Sequence, residues 1–399
     1  MGKVGTEATL LDILYEVQSI AADTDIIANG TTPGAWDGIK KLVQHGAAAQ
    51  RLPIGTQLSD TWAKAVGTEY NILWDVVHHY ANGDMALKWH YAFPDTIPFD
   101  EPEAIYYAPA GGLAAGQYYI TIGMAYGEGW VAGQHINFTL ANAMDEGDQL
   151  VISLGTNNAN NPTNGRTWNV YAKGSTASKE SGTTSNSDTG TELGSTSTLG
   201  VGYTNGQINA PQRIVYGYNR WSQSAIRQWL NSAAAAGAWW TAQNGWDRPV
   251  SAAATLRGFL AGFSTDFTDI LEEVDVVTAL NTVEGATDAT ETTRDKIFLP
   301  SLTELYVNPQ YAEGEEWDYY KQLAQEDGRS GKFPTGQNID VLKNYNVADT
   351  TSAVNVRLRS ANRGNATTTW NVKSSGNVSY GNAYNAYRGC PACKIRKSA

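Results

Sequence analysis

Cysteine is nearly missing from this sequence: only Cys390 and Cys393 occur, so no disulfide framework holds the fold and it must rest on burial. Basic charge is short too. With 28 Lys and Arg against 40 Asp and Glu the net charge is −12, which leaves no basic patch to neutralise a phosphate backbone and speaks against nucleic acid as a partner. No apolar run approaches the roughly 20 residues needed to cross a bilayer, so membrane insertion is not expected. Residues 1–8 lack a basic segment followed by an apolar core, and the expectation is a soluble chain made in a cytoplasm. There is no phosphate loop, no Gly-x-Ser-x-Gly elbow and no dinucleotide fingerprint. Neither an enzyme nor a cofactor is therefore expected.

The aromatic content, by contrast, is high: 13 Trp and 21 Tyr accompany only 17% charged residues. Such side chains combine large apolar area with a polar tip, suited to cores and to contact surfaces. A length of 399 residues implies two or three domains. Over residues 6–27 the apolar positions Leu10, Ile13, Val17, Ile20 and Ile27 alternate at three- and four-residue spacing, a heptad-like seam that predicts a helix wanting a partner. A second helix is predicted over 36–49, with Ile39, Leu42 and Val43 on one face. Residues 71–77 and 86–91 read as strands, as do the alternating sets Tyr118, Ile120, Ile122 and Ile136, Phe138, Leu140. Asp145-Glu146-Gly147-Asp148 then turns the chain into 149–154. Asn, Thr, Ser and Gly dominate 156–207, which predicts long loops or edge strands. Helical spacing returns at 222–231 and 251–263, while the tail from Ala353 onward shows short β-like pieces such as 369–372 between Gly and Asn turns.

Several constellations carry less than they first suggest. His78 and His79 are neighbours that point to opposite faces of a strand, so they do not share a metal easily, and His90 and His135 stand elsewhere. Cys390-x-x-Cys393 lacks the two further ligands that zinc requires. Glu101-Pro102-Glu103 has the outline of a Ca²⁺-holding carboxylate pair and reads as a loop. The acidic stretch 313–318 and the pair Glu272-Glu273 read as solvated faces, with no glycosidase pattern around them. No metal site is expected.

Five stretches, taken in order, carry a resemblance. They are LPIGTQL at 52–58 leading to ILWDVV at 72–77; YNRWSQSAIRQWLNS at 218–232; WDRP at 246–249 with GFL at 258–260; and TRDKIFLPSLTE at 293–304. The last is RLRSAN at 357–362, followed by WNV at 370–372, SGNV at 375–378 and CPAC at 390–393. Over about residues 50–395 the chain resembles a phage and bacterial family, a domain of unknown function, with a C-type-lectin-like fold. Members look like the variable proteins of diversity-generating retroelements, in which adenines of a template repeat are rewritten near the C-terminus. An Asn codon randomised at its adenines yields Asn, Ser, Thr, Tyr, Arg, Gly, Ala, Val or Cys, and 361–389 consist almost wholly of these. Trp370 and Lys373 cannot arise that way, and Trp370 reads as scaffold. The family carries aromatic residues where this chain has Asn355, Val356 and Arg357, so those positions are either scaffold or diversified.

Independently of the resemblance, a segment rich in Asn, Tyr, Gly and Ser has the composition of an antibody paratope, with Tyr380, Tyr384 and Tyr387 as anchors. The sequence thus predicts an α+β protein. It divides into a helical assembly region over 1–50, the first part of a C-type-lectin-like domain over 51–95, a β-rich, sandwich-like insertion over 96–209, and the main lectin-like part over 210–399. The resemblance implies a phage virion adhesin, made in the host bacterial cytoplasm, that recognises a bacterial surface protein or glycan through residues 354–395. The expected contact residues are Asn355, Arg357, Asn362, Arg363, Asn365, Thr368, Lys373, Ser379, Tyr380, Asn382, Tyr384, Asn385 and Tyr387. Other virion proteins and copies of itself, as a trimer, are the remaining expected partners. Two alternatives stay open: a lectin-fold oxidase using the two cysteines, and a structural virion decoration.

Overall fold

Strand-forming sequence begins after the short helices Trp36–Gln44 and Ala48–Arg51. The computed structural model describes residues 36–125, 129–153, 161–197, 208, 211–283, 290–309 and 311–397, together with Leu14 and Val17. The helix expected over 6–27 lies outside the described residues, apart from Leu14 and Val17, which are helical and exposed. Strands outweigh helices throughout, and the class is α+β.

β1 (Gln57–Ala65), β2 (Thr68–His79) and β3 (Met85–Trp89) form an antiparallel meander, and β20 (Ala392–Ile395) closes it by pairing with β3, Cys393 opposite Leu87. The end of the described chain is thereby sewn to its first sheet. One face of this sheet is aromatic. Trp62 and Trp74 meet Trp89 edge-on at 5.7 and 6.0 Å, and Phe259, Phe263 and Phe267 pack against these three rings. Such pairs add about 0.5–1.5 kcal/mol each beyond the area they bury. The helix Trp36–Gln44 belongs to this same core: Trp36 packs on Phe267 at 4.7 Å and donates its indole N–H to Asp60. The sequence had grouped residues 36–50 with the N-terminal segment. Their apolar face is instead covered by residues more than 200 positions later.

The chain leaves this core after β4 (Ile97–Pro98) and Phe99 and builds a second, separate core from residues 105–214. Here β10 (Ser178–Thr183), β9 (Thr167–Tyr171), β8 (Gln149–Ser153) and β5 (Tyr106–Tyr107) make one sheet. β11 (Thr191–Ser195), β6 (Gly116–Thr121) and β7 (His135–Leu140) make the other. Alternation sets their inner faces: Tyr118 and Ile120 lie opposite Phe138 and Ile136, all buried. The turn before β8 forms at Gly147, whose φ of 81° favours glycine, with Asp148 N–H donating to the carbonyl of Asp145.

The two cores are joined by polar bonds. Gln149 donates its amide to the carbonyls of Gly245 and Asp247, and Tyr107 meets Trp246 edge-on at 4.6 Å. Glu103 pairs with Arg213, both buried. Beside them Asp100 and Asp247 are buried carboxylates whose pKa values burial pushes up, that of Asp247 to about 7. Glu103 is thus a buried partner at this junction.

After the helix Ala225–Leu230, capped by Ser224, the chain forms the hairpin β12 (Val274–Ala279) with β13 (Thr290–Asp295). Next come the helix Asp318–Glu326, the pair β14 (Asn344–Asn346) with β15 (Asp349–Val354), and a three-stranded sheet β16 (Val356–Ala361), β17 (Thr368–Val372) and β18 (Val378–Asn382). β19 (Ala386–Tyr387) pairs with β4.

Candidate functional site

In the sheet β16–β17–β18 side chains alternate between two sides, and register decides which residues share one. Val356, Val372 and Val378 lie in one row, all buried in the main core. The next row, on the other side, is Arg357, Asn371 and Ser379. Trp370, on the core side, is nearly buried and meets Tyr380 edge-on at 5.6 Å, so it acts as scaffold beneath an exposed neighbour.

Arg357 was expected to touch a ligand, and burial corrects this. Its guanidinium is fully enclosed and meets no carboxylate among the described residues. Nη1 donates to Thr369 Oγ1 at 2.6 Å and to the carbonyl of Gly381 at 3.0 Å. Nη2 donates to the carbonyls of Asn382 at 3.0 Å and Asn385 at 2.6 Å, and the Tyr387 ring lies over it at 4.3 Å. Burial pulls its pKa down to about 9. The fork geometry of Arg makes one side chain hold four points of backbone and side chain at once. Arg357 therefore fixes the 381–387 segment from below. Beside it Asn371 is buried, with neither amide atom hydrogen-bonded to a described residue.

Asn219 performs the matching task for the other loop. Fully buried, it donates Nδ2 to the carbonyls of Asn365 at 2.6 Å and Thr368 at 2.9 Å, and its Oδ1 accepts from Asn281. Its backbone N–H reaches the carbonyl of Ala366. Sequence reasoning missed this residue. It stands within one of the motif stretches, and Asn is a side chain that bonds backbone carbonyls, but nothing local names its partners.

The ladder between Thr368 and Asn382 brings the two loops together at one end of the sheet. Gathered there are Asn362, Arg363 and Asn365 from one loop and Asn382, Tyr384, Asn385 and Tyr387 from the other, all half-buried. Arg363 lies over the exposed Tyr311 ring at 4.9 Å, and Tyr384 stacks on Tyr216 at 6.2 Å. Asn365 spends its side-chain oxygen on its own turn, accepting from Thr367 and Thr368. Thr368 is buried and contributes backbone to the scaffold, a second correction to the expected contact set.

Asn355 and Lys373 are not part of this gathering. They sit at the opposite end of the sheet, where Asn355 accepts from the backbone of Ser374. Ser379 and Tyr380 lie along β18 between the two ends, and of the three expected tyrosine anchors only Tyr380 is exposed. Tyr384 and Tyr387 are half-buried, with Tyr216 stacked on the one and the Arg357 guanidinium against the other.

The remaining constellations resolve into structure. Cys390 and Cys393 are free and buried, with burial raising the pKa of both thiols; Cys390 Sγ donates to Asn344. His78 faces Asp318 and Glu315, whereas His79 turns to the carbonyl of Leu52. Among the described residues no three His, Cys, Asp or Glu side chains are grouped to hold a metal ion. No described helix is long and apolar enough to cross a membrane. The acidic stretch 313–318 is only partly a solvated face. Glu313 is buried, accepts from Ala279 N–H and Ser360 Oγ, and is pushed by burial to about 7. Next to it Glu304 and Arg359 form a buried bidentate pair.

Residues 203–397, just under half of the chain, match the family described as a domain of unknown function, DUF6273. The matched part contains Asn219, Arg357 and both loops. No curated protein and no solved structure matches the chain.

Proposed function

We propose that this chain is a phage virion adhesin, a binding protein with a C-type-lectin-like domain that recognises a bacterial surface ligand through a diversified C-terminal face. The observation that carries the reading is the division of labour at the loop end of β16–β18. The partly accessible positions are Asn, Arg and Tyr, while the residues that hold them, Asn219, Arg357 and Trp370, are buried. A surface whose loops are fixed through their backbone carbonyls tolerates replacement of the outward side chains, which is what a diversified binding face requires. The composition fits the same role, with Tyr giving rigid contact area and Asn adaptable hydrogen bonding.

The lectin-like reading draws support from β20 closing the sheet begun by β1, with the binding loops carried on a second small sheet. Residues 1–35 and the 105–214 core are then the means of joining the particle, and several copies acting together raise the avidity of weak contacts. A thiol oxidase needs an accessible thiolate, and Cys390 and Cys393 are buried thiols held protonated. Sequencing the locus tests the diversification directly. A reverse transcriptase beside a near-identical copy of the 354–395 coding segment, differing at adenines, is the expected result; a locus with neither contradicts it.

A further inference from the structure

Residues 99–104, which carry the chain from β4 into the second core, run past the 381–387 loop on their way. The carbonyl of Ala383 accepts from the N–H groups of Phe99 at 2.9 Å and Asp100 at 3.3 Å. Tyr384 N–H donates at 3.1 Å to the carbonyl of Tyr216, the last residue of the helix Pro211–Tyr216, and the two rings stack. Gly217, at a φ of 77°, lets these three segments meet. A Cβ there would stand 2.7 Å from the Asp100 carbonyl oxygen and 3.2 Å from Ala383 Cβ.

Behind this meeting point acid exceeds base. Asp100, Glu103 and Asp247 are buried, and backbone bonds set their segments side by side: Ala104 N–H reaches the carbonyl of Trp246 at 2.9 Å and Glu103 N–H that of Arg213 at 3.1 Å. Arg213 pairs with Glu103 and lies over the Tyr218 ring at 3.6 Å. The other nearby cation, Arg248, is drawn to Glu101 and lies over Tyr171 at 4.7 Å. Tyr107, on Trp246, and the neutral Gln149 complete the surroundings. The carboxyls Asp100, Glu101, Glu103 and Asp247 thus outnumber the guanidiniums Arg213 and Arg248 among the described residues. One oxygen of Asp100 and one of Asp247 meet no hydrogen-bond partner among those residues. Ionising such a group in a buried place is costly, whereas the protonated acid is neutral. Burial and the neighbouring acids accordingly raise Asp100 well above the usual carboxylate range and Asp247 to about 7.

We propose that this junction is a proton-operated latch on the loop at 383–387. With Asp247 protonated, residues 99–104 and the helix Pro211–Tyr216 lie together and hold Ala383 and Tyr384. Its ionisation sets a second negative charge beside Glu103 on the single guanidinium of Arg213, which pushes the segments apart and loosens the loop there. Arg357 keeps its own carbonyls in both states. Weaker adsorption above neutral pH is the consequence that rests on the adhesin reading; the latch itself does not, because amide exchange reads it with no ligand present.

Hydrogen exchange of the full chain, compared near pH 5.5 and near pH 8 with times scaled for the intrinsic rate, tests this. Protection of the Phe99, Asp100 and Tyr384 amides is expected to fall about tenfold or more, since a carboxyl that ionises more readily in the open state shifts opening by about tenfold per pH unit below its closed-state value. Asp247→Asn keeps an acceptor for Gln243 N–H and is expected to remove most of the fall. Glu313→Gln, which takes away a buried carboxyl outside this junction, is expected to leave it. Equal protection at both pH values in the parent chain overturns the proposal, and this comparison decides even where Asp247→Asn does not fold. So does an undiminished fall in a folded Asp247→Asn chain, or a fall removed as completely by Glu313→Gln.

Discussion

Asn219 donates its side-chain amide to the carbonyl of Asn365 at 2.6 Å, across 146 positions of sequence. One buried amide thus anchors a loop that Thr282 and Ala383 also hold, their backbone N–H groups donating to the carbonyls of Arg363 and Thr367. Replacing it by Ala removes both bonds to backbone carbonyls and the acceptor that Asn281 Nδ2 uses. Asn219→Ala is expected to lower stability by roughly 2–4 kcal/mol, since buried groups left unpaired cost about 1–3 kcal/mol each. A denaturant melt measures this, and a change below about 0.5 kcal/mol, the usual size for surface substitutions, means that the loop is held by something else.

Arg357 makes the second anchor, and here the conservative replacement is the informative one. Lys has a single point charge where Arg presents a planar fork, so Arg357→Lys cannot reach Thr369, Gly381, Asn382 and Asn385 together. The expected result is a loss of about 2–4 kcal/mol, with faster amide exchange confined to 381–388. A Lys variant as stable and as protected as the parent removes Arg357 from its positioning role.

Three buried carboxylates give the protein an inverse acid response. Burial raises Asp60 to about 6, and Asp247 and Glu313 to about 7. For such groups the folded chain binds protons more tightly than the unfolded one. Their favourable contribution is complete below pH 4 and is lost as pH rises through 6 to 7, the folded values. Melting temperature is expected to be higher near pH 5 than near pH 8. Glu313→Gln keeps an acceptor for Ala279 N–H and flattens part of this slope. A melting temperature that climbs from pH 5 to 8 contradicts the assignment.

Much of the local structure was legible in the sequence, and the reasons are physical. Period-two alternation at Tyr118, Ile120, Ile136 and Phe138 reflects sheets buried on one side, so β6 and β7 could be read directly. The strand Met85–Trp89 was legible as β, yet not the burial of Lys88 within it. What stayed hidden depends on distant partners. Arg357 reads as an exposed base until the carbonyls 24 to 28 residues later enclose it. Glu313 reads as solvated until Ser360 and Ala279 close over it. The pairing of β20 with β3 spans about 300 residues and leaves no local mark.

Assembly is a further expectation. The seam of Leu10, Ile13, Val17 and Ile20 needs cover, because a lone helix of that length is marginal in water, and Val17 is exposed in the folded chain. Light scattering is expected to give a trimer for the full chain and a smaller mass for a chain beginning at Ala35, which keeps the core helix Trp36–Gln44. A monomeric full-length protein, or equal oligomeric order in both, shows that these helices do not assemble it.

Adsorption to bacteria by a chain altered only at its loop face bears most directly on the proposed function. In the combined variant Asn382→Ala, Tyr384→Ala, Asn385→Ala the carbonyls used by Arg357 remain, and the outward side chains are gone. The account predicts folding within about 1–2 kcal/mol of the parent and binding to host cells lost. Undiminished binding by this folded variant contradicts it.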